Sequence, residues 1–277
     1  MSASPSPPSN GALRVASWNV NSLRVRLPHV LDWLAAAQPD LLGLQETKLI
    51  DEKFPRAEIE AAGYAVHYTG QPTYNGVAIL ARQARFSDIV DVAHHDTRLP
   101  DDQRRLTALT AKDASTGLDM RFICVYVPNG SEVGSDKYRY KLAWLDALEA
   151  RLQEELAAHP RLALVGDFNI APGDLDVHDP AAWREKILCS TPERDAFGRL
   201  IKLGLTDTLR ALAPHEASLF SWWDYRQAGF RRNLGLRIDH ILLSEQAFGP
   251  CHASGVDKLP RGLEQPSDHA PVWADIA

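Results

Sequence analysis

The sequence predicts an α/β fold built on a mixed β-sheet. Short apolar runs typical of buried strands alternate with segments of helical periodicity in both halves of the chain. Pairs of strand-like runs joined by turn sequences lie between these units. Alternation favours parallel strands and the hairpin-like pairs require antiparallel ones, so we expect both orientations.

The first half predicts six strands and one helix. Pro39 should stop the helix, and the turn sequence TGQPTYNG should join one strand pair. The predicted elements are a strand over residues 13–18, a helix over 27–37, a strand over 40–45, and two strand pairs, 64–68 with 77–80 and 106–111 with 120–127.

The second half begins with the clearest helix, over residues 136–159. Its apolar positions recur at intervals of three and four, the spacing of one helix face, at Tyr138, Leu142, Leu145, Leu148, Leu152 and Leu156. The remaining predicted elements are a strand over 162–165, a loop carrying DLDVHDP, a helix near 193–203, and strands near 218–223, 236–243 and 270–276.

Length and composition indicate one large domain. A chain of 277 residues can bury a sizeable core, and residues 13–277 contain no linker or repeat. The first twelve residues, MSASPSPPSNGA, are rich in Ser and Pro and predict a disordered tail over 1–12.

Several classes of protein are disfavoured. No apolar stretch approaches the length that a membrane crossing requires. Cys124, Cys189 and Cys251 are odd in number and show no CxxC spacing, which disfavours a disulfide framework or a zinc site and fits a reducing cytoplasm. A net charge of -6 disfavours nucleic acid at first sight, but acids gathered around a cation would leave local basic clusters free to bind phosphates.

Polar side chains follow or precede most of the predicted strands. The motifs are SWN, LQE, CVY, VGDFN, LRID and PSDHAPV, which carry Asn19, Glu46, Tyr126, Asp167, Asn169, Asp239, Asp268 and His269. Any one of them is more often a cap or a turn than a functional group. Because ligands bind beyond strand ends in α/β sheets, the set together predicts one mouth whose oxygen ligands and imidazole suit Mg²⁺ and a phosphate.

Eight motifs in one order resemble the exonuclease III family of apurinic/apyrimidinic endonucleases, within the endonuclease/exonuclease/phosphatase superfamily. They are SWNVNSLR, LQETK, YNGVAIL, VYVPNG, VGDFNI, FSWWDYR, GLRIDHIL and PSDHAPVWA. The resemblance runs from about Val15 to the C-terminus and implies a deoxyribonuclease I-like fold. That fold is a four-layer α/β sandwich of two packed mixed sheets flanked by helices.

The resemblance implies a Mg²⁺-dependent DNA repair nuclease, with Mn²⁺ as a substitute ion. Its activities would be AP endonuclease, 3′-5′ exonuclease and 3′-phosphatase or phosphodiesterase, in base excision repair. The implied partner is double-stranded DNA with abasic sites or 3′ lesions, and we expect a cytoplasmic monomer.

The resemblance also implies roles for the motif residues. Glu46 would be the principal metal ligand and Asp167 the general base that takes a proton from water. Asn169, in an extended segment, would face the same side as Asp167. Asp268 would sit against His269 and favour its protonated form. The implied metal ligands are Asn19, Glu46, Asp167, Asn169, Asp268 and His269, and Tyr126 and Asp239 complete the catalytic set. Asp239 would either position the base or help protonate the leaving oxygen.

Interleaved aromatic and basic residues in FSWWDYRQAGFRRNLGLRID predict a nucleic-acid surface, with rings against bases and guanidinium groups on phosphates. Trp223 could equally be a core residue. Arg237 is the last arginine of this run. Outside it, further phosphate contacts could come from basic residues that are by default ordinary surface charges: Arg24, Arg26, Lys48, Arg104 and Arg105. The expected DNA-binding residues are Asn21, Arg24, Lys48, Trp222, Arg226, Arg231, Leu236 and His269, with Trp222 and Leu236 as walls of a small pocket for a sugar without its base.

His178 lies in a loop where members of the resembled family differ in size. A bulky imidazole there would narrow the pocket and shift activity from abasic sites towards 3′ ends.

Two other functions fit parts of the pattern. A relative that cleaves phosphoinositides or sphingolipids would share the catalytic core, but the basic run after WDYR disfavours it. A non-catalytic module with a structural ion would have no need of Tyr126 or of the Asp268 and His269 pair.

Overall fold

The computed structural model describes residues 5–8 and 11–277. Residues 1–4 and 9–10 of the predicted tail lie outside the described residues, so disorder over 1–12 stays a prediction. No described helix is long and apolar enough to cross a membrane. The three cysteines are buried and free.

The described residues form fourteen strands and seven helices. The strands are β1 (Leu13–Asn19), β2 (Leu41–Gln45), β3 (Tyr64–Thr69), β4 (Val77–Arg82), β5 (Phe86–Ala93), β6 (Leu106–Asp113), β7 (Asp119–Tyr126), β8 (Leu162–Asp167), β9 (Leu205–Asp207), β10 (Trp222–Trp223), β11 (Gly235–Leu236), β12 (Asp239–Ser244), β13 (Cys251–Val256) and β14 (Val272–Ile276). The helices are α1 (Leu23–Ala37), α2 (Arg56–Ala61), α3 (Asp136–Ala158), α4 (Pro180–Trp183), α5 (Thr191–Lys202), α6 (Thr208–Leu212) and α7 (Glu245–Phe248).

Twelve strands form two mixed sheets of six. The first sheet has the order β13-β14-β1-β2-β4-β3 and the second β5-β6-β7-β8-β12-β9, while β10 and β11 pair separately. In each sheet one central pair is parallel, β1 with β2 and β7 with β8, and the other neighbours are antiparallel. The mixed orientation and both predicted hairpin pairs are therefore confirmed.

The two sheets pack face to face around an inner apolar core that includes Val15, Phe122 and Val165. Helices α1 and α2 cover the outer face of the first sheet, and α3 and α5 cover that of the second. At Gly43 in β2 a Cβ atom would lie 2.8 Å from Cγ2 of Val165, so glycine permits the close approach of the sheets there. This arrangement confirms the predicted four-layer sandwich.

Several element boundaries were predicted wrongly. Helix α1 begins at Leu23 rather than at residue 27, because Leu23 is fully buried and adds a first turn to the apolar face. The strand predicted over 236–243 is two strands, since the backbone N–H of Arg237 donates to Asp176 instead of a sheet neighbour. The strands predicted near 218–223 and 270–276 are shorter, and begin at Trp222 and Val272.

Some elements were not predicted at all. Strand β5 is a largely exposed edge with few buried side chains, and β13 contains Gly255, Ser254 and a bulge. Both lack the apolar runs that indicate buried strands.

His240 in β12 is a buried neutral histidine. Its Nδ1 accepts a hydrogen bond from Nη1 of Arg237 at 3.0 Å, and its Nε2 donates to the carbonyl of Ile170 at 2.9 Å. Because Arg237 can only donate, Nδ1 must be unprotonated. Burial and the charge of Arg237 lower the pKa of His240 to about 4.

We therefore expect the free energy of unfolding to decrease as the pH falls from 6.5 towards 4. Over this range the unfolded chain binds a proton at His240 that the folded chain does not, a contribution of at most about 3 kcal/mol. Urea unfolding at closely spaced pH values measures the slope, and His240→Gln should make it shallower whatever its effect on absolute stability. The same slope in both proteins would contradict the assignment.

Candidate active site

Inner-face positions at the ends of four strands carry the polar groups of the site. Alternate residues of β1, β7, β8 and β12 face the inner core, and this alternation ends at Asn19, Tyr126, Asp167 and Asp239. Asp167 has Tyr126 as its register partner on β7 and Asp239 on β12. These side chains therefore share one mouth between the sheets.

Asn19 joins the two sheets at the centre of this mouth. Its Nδ2 donates to Oε1 of Glu46 and to Oδ2 of Asp167, each at 2.9 Å. Its Oδ1 accepts from the backbone N–H of Asn21 at 3.0 Å. The structure thus brings Asn19 to the predicted place, where its Nδ2 links Glu46 and Asp167 and its Oδ1 accepts one hydrogen bond.

His269 is paired with Asp239. Its Nδ1 lies 2.8 Å from Oδ2 of Asp239, and its Nε2 lies 3.7 Å from Oδ2 of Asp167. Burial disfavours the charged ring, but the two carboxylates outweigh it and raise the pKa of His269 to about 10. Burial raises the pKa of Asp167 to about 7, against the attraction of His269. The pairing leaves open both roles considered for Asp239.

The hydrogen-bond partner of His269 is Asp239, and Asp268, the neighbour expected from the sequence, adds only a smaller contribution to the raised pKa of His269. Asp268 instead accepts from Nδ2 of Asn21 at 2.9 Å and from Nε1 of Trp222 at 3.0 Å. Asp268 lies in a bend and His269 in a single β-bridge with Trp222, so the two consecutive side chains face different groups. Asp268 therefore organises the outer rim, and the charge on the imidazole depends chiefly on Asp239.

Asn169 does not lie in extended backbone as predicted, because its φ is 51° and β8 ends at Asp167. Its N–H donates to Oδ1 of Asp167, its Nδ2 donates to the carbonyl of Val127, and its Oδ1 accepts from Nδ2 of Asn129. The side chain is beside Asp167, as expected, but it is held by a turn and two hydrogen bonds.

Four carboxylates converge on this site against two cationic side chains. Lys48 lies 2.8 Å from Glu46 and donates to Asn21, and His269 provides the other cation. Burial would raise the pKa of Glu46, but Lys48 and the amide of Asn19 lower it. The carboxylates are those of Glu46, Asp167, Asp239 and Asp268.

Three of these groups lie close enough together to hold a metal ion. Potential ligand atoms of Glu46, Asp167 and His269 lie within 4.8 Å of one another, and Asp268 is not in this group. Oδ1 of Asp239 is buried and has no hydrogen-bond partner among the described residues. Carboxylate oxygens in excess of the local positive charge are suited to a hard divalent cation.

Two site residues were missed in the sequence. Ser221 donates to Oδ2 of Asp239 at 2.6 Å and accepts from the backbone N–H groups of Ile238 and Asp239. No local signal in FSWW distinguishes this serine. Asn129 lies in the motif VYVPNG, which was recognised but not assigned a residue beyond Tyr126.

The predicted DNA-binding residues have different surroundings. Arg24, Arg226 and Arg231 are exposed on the surface, and Trp222 is half-buried. Leu236 is fully buried, so it is not an open pocket wall, and Trp223 is a core residue.

Arg237 is not available to a phosphate. Its side chain is 1% exposed and forms ion pairs with Asp176 and Asp207, each at 2.8 Å. The basic run therefore divides into an exposed part before residue 234 and a structural arginine after it.

A pocket of about 260 Å³ adjoins the mouth beside Trp222. His178 lines it together with Trp183 and Arg226. The ring of His178 is fixed, because both its Nδ1 and its backbone N–H lie 3.1 Å from the carbonyl of Gly235.

Comparison with known proteins agrees with this geometry. Residues 16–269 match the Endonuclease/Exonuclease/phosphatase family. The chain is 37% identical to exodeoxyribonuclease III of Haemophilus influenzae, covering 95% of this chain and all of that one (100%). The structure of the 3′ phosphatase NExo from Neisseria bound to a product DNA hairpin has a TM-score of 0.89 and 47% identity, covering 96% of this chain and 99% of that one. An AP endonuclease from Archaeoglobus fulgidus gives a TM-score of 0.86 and 36% identity, with coverages of 95% and 99%. A match over most of the chain, together with the fold and the site, shows that the protein belongs to the endonuclease/exonuclease/phosphatase family.

Proposed function

We propose that this protein is a metal-dependent DNA repair nuclease that hydrolyses phosphate esters at abasic sites and at 3′ ends. The observation that carries the proposal is the meeting of Glu46, Asp167 and the Asp239–His269 pair at one mouth. Relatives named exodeoxyribonuclease III, 3′ phosphatase and AP endonuclease support DNA as the substrate. We further propose that residues 13–277 form one catalytic domain.

Asp167 is the general base of the proposed reaction. It takes a proton from water, and that water displaces the leaving oxygen in line at the phosphorus. Burial brings the pKa of this carboxyl into the range of a base that works near neutral pH. Asn169 holds the turn beside Asp167 through its backbone N–H. This contact fixes the carboxylate and so the direction from which the water approaches the phosphorus.

The protonated ring of His269 binds a phosphate oxygen. Its charge is maintained by Asp239, which is itself held by Ser221. Because a ring protonated on both nitrogens has no free lone pair, we assign His269 to the phosphate and not to the metal. Tyr126, at the end of β7, provides a neutral hydroxyl, since burial and the carboxylates of Glu46 and Asp167 raise its pKa well above the usual value.

Glu46 and Asp167 are the proposed ligands of a divalent cation, Mg²⁺ with Mn²⁺ as a substitute. When bound, the ion would supply Lewis-acid stabilisation of the charge that develops on the phosphate. The excess of carboxylates over cations and the short distance between the ligand atoms of Glu46 and Asp167 support such an ion. DNA would contact the exposed arginines, Arg24, Arg226 and Arg231, and the pocket beside Trp222.

The activity itself is tested on two defined substrates, a duplex with one abasic site and a duplex with a recessed 3′-phosphate. We expect incision or phosphate release in Mg²⁺ and none in EDTA, with activity restored by excess Mg²⁺ or Mn²⁺. Undiminished turnover in EDTA would reject the metal requirement, and turnover of phosphoinositides in place of either duplex would favour the lipid-cleaving alternative.

Two isosteric substitutions distinguish Glu46, proposed as a metal ligand only, from Asp167, proposed as both a metal ligand and the general base. Glu46→Gln should raise the Mg²⁺ concentration needed for half-maximal activity, because a carboxylate ligand is lost. Asp167→Asn should lower turnover by roughly 10²-fold or more, effectively abolishing it. The Kd for the abasic duplex in Ca²⁺ should stay near that of the wild type. An unchanged metal titration for Glu46→Gln would refute its assignment as a ligand.

His178 is proposed to set the balance between the two substrates. His178→Gly should raise the ratio of abasic-site incision to 3′-phosphate release, because the pocket beside Trp222 widens. His215→Gly, which removes an exposed histidine outside this pocket, is the matched control and should leave the ratio unchanged. If the ratio of kcat/KM values is the same in His178→Gly and the wild type, the steric argument fails.

A further inference from the structure

Arg105 is half-buried and its guanidinium packs against the ring of Tyr126. It directly precedes β6, and its backbone carbonyl accepts from the N–H of Tyr126 at 2.8 Å. Its guanidinium carbon stands 4.8 Å from the centre of the Tyr126 ring. Nη1 also donates to the carbonyl of Tyr126 at 3.3 Å. Arg105 therefore contacts this tyrosine through its backbone, its charge and its side-chain N–H.

The guanidinium is itself fixed from the opposite side. Nε of Arg105 donates to Oε1 of Gln103 at 3.0 Å, and the same oxygen accepts from Nδ2 of Asn75 at 2.9 Å. The carbonyl of Asn75 accepts from the N–H of Lys48 at 2.9 Å. A chain of hydrogen bonds thus links Arg105, beside the second sheet, to the segment that follows Glu46 in the first.

A guanidinium stacked on a ring restricts the plane of that ring, and the cation–π attraction favours a single arrangement. Without it, the phenol is held by packing at the edge of the inner core and by the contact of its hydroxyl with Glu46. Small displacements of a group that contacts the reacting centre reduce the rate more than they reduce affinity.

We propose that Arg105 is a positioning residue for Tyr126, and that its guanidinium keeps the tyrosine hydroxyl aligned with the substrate phosphate. The inference rests on the proposed nuclease function and replaces the direct phosphate contact expected for Arg105 from the sequence. Gln103 is a second positioning residue, since it orients the guanidinium of Arg105.

A double-mutant cycle tests the inference on the recessed 3′-phosphate duplex in Mg²⁺. We expect Arg105→Met to lower kcat by about 10- to 100-fold with KM changed by less than about twofold. In the Tyr126→Phe background the same substitution should have little further effect, because the hydroxyl that it positions is already absent. Arg105→Lys should restore part of kcat. Arg139→Met, which removes an exposed arginine of α3 that pairs with Asp136, is the matched control and should leave kcat unchanged.

Independent, multiplicative losses in the two backgrounds would overturn the inference, as would a loss confined to KM, because both indicate direct binding of phosphate. Where Arg105→Met lowers the urea midpoint, Gln103→Ala serves as the second variant, with a smaller loss of kcat expected.

Crystal structures of the wild type and Arg105→Met separate this inference from the proposed function. A Tyr126 ring displaced or in several rotamers in the variant supports it, and an unmoved ring overturns it. This readout holds even if the wild type cleaves neither duplex, an outcome that would reject the nuclease proposal alone.

Discussion

The face-to-face packing of the two sheets is the constraint on which the site depends. Each sheet has a central parallel pair whose carboxyl ends lie at the same edge. Close approach of the sheets at Gly43 brings these ends together, so that inner-face positions beyond the core become the walls of one mouth. The side chains at these positions are polar because the core has ended, and they meet because the sheets are in contact. Asn19 links the two sheets directly, since its side-chain amide donates hydrogen bonds to both Glu46 and Asp167.

The convergence of several carboxylates at one site is electrostatically unfavourable, and the proposed reaction makes use of it. Carboxylates close to an apolar core are costly unless cations or hydrogen bonds compensate them. Lys48 and His269 provide part of the compensation, and a divalent ion is the proposed remainder. Burial raises the pKa of Asp167 against the attraction of His269, and the carboxylates of Asp239 and Asp167 raise the pKa of His269. One arrangement therefore provides both a general base and a cationic group that donates a hydrogen bond to the phosphate.

The outer parts of the site are held by buried ion pairs away from the mouth. Arg237 binds Asp176 through its side chain and its backbone N–H, and Arg210 binds the same carboxylate. Asp176 stands two residues before His178, so this network fixes the loop that forms one side of the pocket. On the opposite side of the site, Arg105 packs against Tyr126 and fixes its ring in a comparable way. Arginines that look alike in the sequence thus divide into surface groups for DNA and internal groups that fix functional side chains.

The sequence by itself determined the α/β class, the central strands and the polar residues at their ends, because apolar runs and helical periodicity are local properties. Its motifs also indicated the family and the four-layer sandwich. Only the tertiary structure decided which groups are partners: Asp239 and not Asp268 beside His269, and carboxylates and not DNA around Arg237. It also decided that Asn169 lies in a left-handed turn and that Leu236 is buried. Contacts between residues far apart in the chain depend on how the sheets and loops pack, and no local pattern encodes that packing.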